Sequence, residues 1–404
     1  MMTEWKTYRL GDIADIQTGP FGSQLHNKDY ADEGSPIVTV EHLGNRHFTT
    51  QNLPLVSDAD KVRLSKYILS EGDIVFSRVG SVDRCSYVSK AEDGWMFSGR
   101  CLRVRCSSKA YPLYVYYYFC LESIKQYIRN VAVGATMPSI NTQIMSEIPI
   151  SLPSLEEQRR IAGILGAIDD KIENNRRINT NLELQAQALY KQWFVDNRKD
   201  DWEEKPLTEI AEFIGGYSYK GNELVDTSTM AMATIKNFER KGGFKVEGFK
   251  DIVASSKLKV EQHAKIFDIL VAHTDLTQNA DVIGNAEILL TCGGYTDIIF
   301  SMDLVKVLPK ENFPYKFLLA AMLKNPYFKA HCLGYVNGTT VLHMSKKALP
   351  EYVFACPSNE EAEKMDNAFK AYYQKMAEIL QENETLATLR DTLLPKLMNG
   401  EIKL

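Results

Sequence analysis

The chain has 404 residues, of which 45% are hydrophobic and 25% are charged. This length allows two to four domains of about 100 to 200 residues each, and the composition excludes a disordered, collagen-like or purely coiled-coil chain. The formal net charge of −5 argues against a protein that binds polyanions over its whole surface, because phosphate binding needs Lys and Arg. Any nucleic-acid surface is therefore expected to be local or shared with a partner.

The first residues do not predict a signal peptide. The first residues, MMTEWKTYRL, lack the apolar core of a signal peptide, and no apolar run reaches the ~20 residues that cross a bilayer. We therefore expect a cytoplasmic protein without a membrane partner. Seven cysteines without a CxxC pair predict reduced thiols rather than a disulfide framework or a zinc site.

The first ~150 residues predict an α+β domain. The runs DIVFSRV (73–79) and CLRVRC (101–106) predict short strands, which residues such as Gly, Asp and Asn separate. The stretch YPLYVYYYFCLESIKQYI, which begins at Tyr111, predicts a helical segment of the same domain.

A long helix is expected next. Ser154 followed by Glu157 has the spacing of a capping box, in which hydroxyl and carboxylate bind the free backbone donors of a helix start. Apolar residues then recur at spacings of three and four, and no proline interrupts the chain from Leu155 to Asp196. This heptad pattern is typical of helices that pack on one another. About 35 to 40 residues would span roughly 50 to 60 Å.

The chain contains this plan twice. The segment from Trp5 aligns with that from Trp202, EGDIVFSR with IFDILVAH, GATMPSI with GTTVLHM, and ISLPSLEEQ with FACPSNEEA. Four matches in one order indicate duplication of a unit of about 200 residues. The predicted boundaries are 1–150 and 201–354 for the α+β domains, and 151–200 and 355–404 for the long helices, where Ser358 and Glu361 repeat the capping box and Pro395 is expected to end or kink the second helix.

The duplication favours packing of the two long helices on each other, although packing of each helix on its own domain stays open. Asn179 and Asn383 occupy equivalent positions, and a buried amide there would fix the register of the helix pair. The predicted helix-pair interface consists of Ile161, Leu165, Ile168, Ile172, Asn179, Leu182, Leu189, Met365, Phe369, Tyr372, Met376, Ile379, Asn383, Leu386 and Leu393.

Motifs for catalysis are scarce. The sequence has no GxxxxGK[ST] phosphate loop and no GxGxxG turn after a strand, and its seven His residues lack HExxH or HxH spacing. We therefore predict no catalytic residue, no metal site and no cofactor in this chain.

Polar side chains in the segments broken by Gly and Asn suit contacts with DNA bases and phosphates, although each alone is typical of a solvated loop. Residues 1–150 contain nine Arg, whereas residues 201–350 contain only Arg240, which predicts different targets for the two domains. The candidate DNA-binding residues are Gln17, Ser23, Gln24, Lys28, Arg46, His47, Arg78, Arg84, Arg100, Tyr217, Tyr219, Lys220, Lys236, Asn237, Arg240, Lys241, Gln278 and Asn279.

The chain resembles the specificity subunits of type I restriction–modification systems over essentially its whole length. The resemblance lies in WKTYRLGDIADIQTGPFGS, EGDIVFSRVGS, LRDTLLPKLMNGEI and above all LPSLEEQRRIAGILGAIDDKI followed by YKQWF. The second copy departs from the pattern, with SNEEAEKMDNAFKAYY in place of the more typical LEEQRRI run.

This resemblance implies two target-recognition domains separated by an antiparallel pair of long helices, in a circular arrangement with internal pseudo-two-fold symmetry. Each domain would recognise one half of a bipartite site in double-stranded DNA. The helices would set the spacer and dock two methyltransferase subunits, and restriction subunits could join them. S-adenosylmethionine and ATP would then belong to the partner subunits.

Two alternatives stay open. The chain could serve as the specificity module of a combined nuclease–methyltransferase with some catalytic role of its own, which would require a cofactor loop. It could also be a coiled-coil scaffold that binds only protein, which sequence-specific DNA crosslinking to both repeated domains would exclude.

Overall fold

The computed structural model describes residues 5–22, 24–44 and 46–404. The chain divides into two compact units, one formed by Met1–Ile172 with Leu386–Leu404 and the other by Glu173–Thr385. These bounds divide each long helix between the units, whereas the sequence analysis assigned each long helix to a segment of its own.

The first unit contains the strands β1 (Lys6–Arg9), β2 (Ala14–Thr18), β3 (Tyr30–Ala31), β4 (Ser35–Val38), β5 (Leu55–Val56), β6 (Ile74–Ser77), β7 (Cys85–Tyr87), β8 (Met96–Phe97), β9 (Cys101–Cys106) and β10 (Pro149–Leu152). Its helices are α1 (Asp58–Arg63), α2 (Pro112–Cys120), α3 (Glu122–Val131), α4 (Thr142–Ser146) and the first half of α5 (Leu155–Lys191). The strand predicted at 101–106 and the helical segment predicted from Tyr111 are confirmed.

Two four-stranded sheets organise the described part of the first unit. One has the order β2-β9-β6-β7 and is antiparallel throughout. The other has the order β3-β5-β4-β8, and its β4 and β8 run parallel. Side chains of β6 are fully buried, as expected for a strand covered on both faces. Leu394 and Leu397, near the end of the chain, lie in the same hydrophobic core as Phe76 and Leu165.

The second unit contains the strands β11 (Glu203–Pro206), β12 (Ala211–Gly215), β13 (Met230–Ala233), β14 (Lys250–Asp251), β15 (His263–Ala264), β16 (Ile269–Ala272), β17 (Thr274–Asp275), β18 (Ala286–Ile288), β19 (Asp297–Phe300), β20 (Leu304–Pro309), β21 (Val336–Asn337), β22 (Leu342–Met344) and β23 (Val353–Cys356). Its helices are the second half of α5, α6 (Leu207–Ile210), α7 (Lys316–Leu323), α8 (Pro326–Leu333), α9 (Ala348–Glu351) and the first part of α10 (Asn359–Met398). Its main sheets have the orders β12-β20-β16-β18 and β14-β13-β19-β15, and β13 and β19 run parallel.

The starts of the long helices differ in capping. At α10 the box is complete, because Ser358 N donates to Glu361 Oε2 at 3.2 Å and Glu361 N donates to Ser358 Oγ at 3.4 Å. At α5 Glu157 N donates to Ser154 Oγ at 3.3 Å, but the Glu157 carboxylate binds Arg160. Pro395 lies inside α10, which continues to Met398.

The Glu361 carboxylate should make the stability of this chain sensitive to acid. A hydrogen bond from Lys199 is the main cause that lowers the pKa of Glu361 to about 2, and Ser358 and Trp202 also donate to the carboxylate. An unfolded Glu titrates near 4.3, so the stabilisation is present above about pH 4.5 and is lost as the pH falls toward 2. We expect Glu361→Gln to lower the thermal unfolding midpoint at pH 7 but not near pH 2. An equal loss at both pH values would contradict this; exposed Glu360→Gln is the control.

Candidate nucleic-acid interface

Three predicted arginines lie along one edge of the sheet β2-β9-β6-β7. At this edge β2 and β6 end and β9 and β7 begin. Arg78 N donates to Arg100 O at 2.8 Å, and Ser77 N donates to Arg84 O at 2.9 Å. These bonds bring Arg78, Arg84 and Arg100 onto adjacent chain segments, which we call the arginine edge.

The three side chains of the arginine edge differ in their surroundings. Arg78 is half-buried, and its guanidinium carbon lies 5.2 Å from the centroid of the Phe21 ring. Its Nη1 donates to Gly99 O at 3.3 Å. Arg84 and Arg100 are exposed. The edge therefore combines one held guanidinium with two exposed ones.

Several other candidates of the first unit have structural partners. Arg46 Nη1 lies 3.0 Å from Gly166 O and 2.8 Å from Asp170 Oδ1, both on α5. Tyr67 donates its hydroxyl hydrogen to Gln24 Oε1 at 2.6 Å. Lys28 is exposed, Gln17 and His47 are half-buried, and Ser23 lies outside the described residues.

Two candidates of the second unit are buried. Asn237 accepts a hydrogen bond from Thr234 N at 2.8 Å and donates to Lys245 O at 2.9 Å. Tyr217 donates to Glu223 Oε1 at 2.6 Å and is 3% exposed. A direct DNA contact by either side chain, as the sequence analysis expected, does not fit this burial.

The remaining candidates of the second unit are at least partly exposed. Lys250 Nζ lies 5.7 Å from the ring centroid of half-buried Tyr219, and Arg240 lies 3.6 Å from Asp281. Gln278 donates to Thr339 O at 2.7 Å. The exposed ones are Lys220, Lys236, Arg240, Lys241, Gln278 and Asn279.

The sheet β12-β20-β16-β18 has an edge of different chemistry. There β12 and β16 end, and His273 N donates to Asp303 O at 2.8 Å. Burial, and then the nearby His343 and Lys346, lower the pKa of His273. Met302, beside Asp303, is 56% exposed. This edge therefore presents histidine, acid and methionine rather than arginine.

Within the first unit, the seam between α5 and α10 contains a buried charge. Ile161, Leu165, Ile172 and Leu397 are buried, while Asp169 accepts hydrogen bonds from Tyr117 at 2.6 Å and Arg390 at 2.8 Å. Burial alone would lower the pKa of Arg390, but its hydrogen bonds to Asp169 and Asp391 and the charges of these two carboxylates together outweigh burial and raise that pKa. The other residues of the predicted helix-pair interface in this unit, Ile168, Leu386 and Leu393, are half-buried.

Within the second unit, the contacts of α5 and α10 run in opposite directions along the chain. Asn175 donates to Asn383 Oδ1 at 2.9 Å, and Asn179 donates to Met376 O at 3.2 Å. The two predicted asparagines, Asn179 and Asn383, therefore do not bind each other, since Asn383 binds Asn175. The predicted residues Met365, Phe369, Met376 and Ile379 are buried, and Leu182, Leu189 and Tyr372 are half-buried.

A buried charge cluster links α5 to the loops of the second unit. Lys324 Nζ lies 3.1 Å from Glu183 Oε1 on α5 and 2.6 Å from Glu287 Oε2 on β18. Burial works to lower the pKa of Lys324, but the two carboxylates outweigh it and raise that pKa. Glu287 also accepts from Gly243 N at 2.6 Å, in the loop that carries Arg240 and Lys241. We call Glu183, Lys324 and Glu287 the charge triad; it lines a cleft of about 850 Å³.

Comparison with known proteins identifies the family. Residues 2–184 match the family model described as the type I restriction modification DNA specificity domain. The specificity subunit of the type I restriction enzyme MjaIX from Methanocaldococcus jannaschii is 22% identical, over 99% of this chain and 94% of that protein. The corresponding HindI subunit from Haemophilus influenzae is 23% identical, over 99% of this chain and 100% of that protein. The chain belongs to the type I restriction–modification specificity subunits.

The fold of this specificity subunit has a solved counterpart. The S subunit of a type I restriction–modification system from M. genitalium matches it with a TM-score of 0.58 and 17% identity, over 98% of this chain and 96% of that one. Among the described residues of this specificity subunit, no helix is long and apolar enough to cross a membrane, and no group of three or more His, Cys, Asp or Glu residues could hold a metal ion.

His273, Phe21 and the charge triad of this specificity subunit were not among the residues predicted from the sequence. The aligned segments EGDIVFSR and IFDILVAH place Arg78 opposite His273, so the repeat itself carried the signal for that residue. No sequence pattern marked Phe21 as a functional residue, apart from its position between Gly19 and Gly22. The charge triad depends on contacts of Lys324 with Glu287, 37 positions earlier, and with Glu183, more than 100 positions earlier, which no local pattern contains.

Proposed function

We propose that this specificity subunit recognises a bipartite DNA site, with one half-site bound by each compact unit. The arginine edge carries the proposal, because it gathers cations on one rim of a sheet in a chain whose net charge is −5. Arg is the side chain best suited to guanine edges and to phosphates. The edge at His273 and Asp303 has different donors and acceptors, which supports a different target for the second unit.

Correspondence between the units supports a duplicated recognition domain. The strands of the sheet β2-β9-β6-β7 correspond in order to those of the sheet β12-β20-β16-β18. The hydrogen bond from Arg78 N to Arg100 O likewise has a counterpart in the bond from His273 N to Asp303 O. Each unit also has a glycine that passes too close to a neighbouring backbone oxygen for any side chain. A Cβ on Gly19 would lie 2.2 Å from Ser98 O, and one on Gly216 would lie 2.0 Å from Ser301 O. We propose that the units are related by internal pseudo-two-fold symmetry.

The long helices are proposed as the spacer and the docking surface. The opposed contacts of α5 and α10 suit an antiparallel pair that presents two equivalent faces, and equivalent faces bind equivalent subunits. We propose two methyltransferase subunits as these partners, joined by restriction subunits where the system has them. Methylation with S-adenosylmethionine and translocation with ATP would reside in the partners, and this cytoplasmic chain would be non-catalytic.

Exchange of one unit tests the proposal. The full chain is expressed with its methyltransferase, residues 1–150 are replaced by those of a relative, and methylated sites are mapped over the genome. We expect one half-site to change while the other half-site and the spacer persist. Replacement of residues 201–354 is the matched control and should change only the other half-site. Simultaneous change of both half-sites, or of neither, would contradict independent recognition.

A further inference from the structure

Exposed apolar side chains border the arginine edge. Phe21 is 53% exposed, Met137 is 61% exposed and Val133 is 63% exposed. The turn that carries Val133 and Met137 closes through paired bonds between Val133 and Ser139, and Gly80 N donates to Pro138 O at 2.9 Å. Ile140 N also donates to Arg78 O at 2.9 Å, so the turn lies directly beside Arg78. Several large apolar side chains exposed together mark a contact surface.

Arg78 is held in place, unlike the other arginines of this edge. The Phe21 ring lies against its guanidinium, and Gly99 O accepts from Nη1. No hydrogen-bond partner of Arg78 Nη2 occurs among the described residues. A guanidinium that is already ordered loses less conformational freedom on binding, and its planar fork suits two hydrogen bonds to one base. Arg100 is exposed, and its guanidinium is not held in this way. Its positive charge alone is sufficient for a phosphate contact.

Charge favours DNA as the occupant of this surface. Arg78, Arg84 and Arg100 come together here, and nearby Asp83 is already paired with Arg129 at 2.5 Å. The local surface is therefore cationic as well as apolar, which fits a duplex with its phosphates outside and its base edges and methyl groups inside the major groove.

We propose that Arg78 is the base-reading residue of the first unit, which donates two hydrogen bonds to the O6 and N7 acceptors of a guanine in the major groove. Phe21 fixes the guanidinium, Met137 packs against the neighbouring base edges, and Arg100 neutralises a phosphate. This inference rests on the proposed function, because it assigns the guanine contact within the half-site of the first unit.

Substitution of Arg78 by Lys tests the inference, because Lys keeps the charge and lacks the fork. Binding of the assembled complex is measured by fluorescence anisotropy with duplexes that carry each base in turn at every position of the mapped site. We expect discrimination at one G·C pair of one half-site to fall roughly 5- to 150-fold, with the other half-site and the salt dependence unchanged. Phe21→Leu should relax the same position by a smaller factor.

Arg100→Ala is the matched control. It should weaken binding to all duplexes alike and reduce the slope of log affinity against log salt by about 1, without a change in base preference. The inference is overturned if Arg78→Lys and Phe21→Leu leave every base preference intact, if Arg100→Ala relaxes a base position, or if Arg78→Lys only weakens assembly with the methyltransferase. If exchange of residues 1–150 still alters a half-site in these cases, the proposed function stands and this assignment alone falls.

Discussion

Replacement of Lys324 by Met is expected to cost about 3 to 5 kcal/mol of folding stability, since it leaves the buried Glu287 carboxylate and the half-buried Glu183 carboxylate without their cation. Glu287 is 4% exposed, and Lys324 Nζ is 2.6 Å from it. Urea titrations of the full chain at pH 7 measure this loss.

Lys375→Met is the matched control for Lys324→Met. The Lys375 side chain is 59% exposed and lies 3.1 Å from Glu378, one helical turn away. An exposed pair of this kind contributes about 0.3 to 0.5 kcal/mol, so the control should change stability little. Similar losses for the two variants would show that the charge triad is solvated and that its burial contributes nothing.

Asp169→Asn is expected to destabilise the first unit by about 2 to 3 kcal/mol, because it removes the charge that Arg390 and Tyr117 share. Asp169 is 8% exposed, and its two oxygens accept from Arg390 at 2.8 Å and from Tyr117 at 2.6 Å. The amide can still accept one hydrogen bond, which keeps the expected loss below that for Lys324. Chemical unfolding followed by tyrosine fluorescence measures the change.

Asp170→Asn provides an adjacent control on the same helix. Asp170 pairs with Arg46 at 2.8 Å, but its side chain is 66% exposed. Solvent screens such a pair, so we expect a loss of about 1 kcal/mol or less. If Asp170→Asn cost as much as Asp169→Asn, burial of the Asp169 charge would not be the source of the effect.

Local patterns predicted the regular elements of this specificity subunit well. The run CLRVRC (101–106) forms a strand with the predicted bounds, and the Ser358 capping box begins α10 as expected. These features depend on neighbouring residues alone. Pro395 was expected to end or kink α10, and the expectation of an end is wrong, because the helix continues for three residues beyond it.

Contacts with residues distant in sequence determine which of the predicted DNA-binding side chains are free to contact DNA. Arg46 suited a DNA contact by residue type, but Gly166 and Asp170, about 120 positions later, hold its guanidinium. Asn237 suited an adenine contact, but its amide closes a turn around Thr234. Loop sequences alone do not specify which polar side chains turn inward. The DNA-binding residues therefore stay a prediction, which the duplex measurements on Arg78 and Arg100 address first.

The membership of residues 386–404 in the first unit has a consequence for synthesis on the ribosome. Leu394, Leu397 and Met398 lie in the hydrophobic core of that unit, yet they are translated after every residue of the second unit. The first unit therefore cannot complete its hydrophobic core until the end of the chain has been synthesised, by which time every residue of the second unit is available. This reverses the usual order, in which the N-terminal domain folds first during synthesis. A premature stop codon near the 3′ end of the reading frame should accordingly damage the unit encoded at the 5′ end.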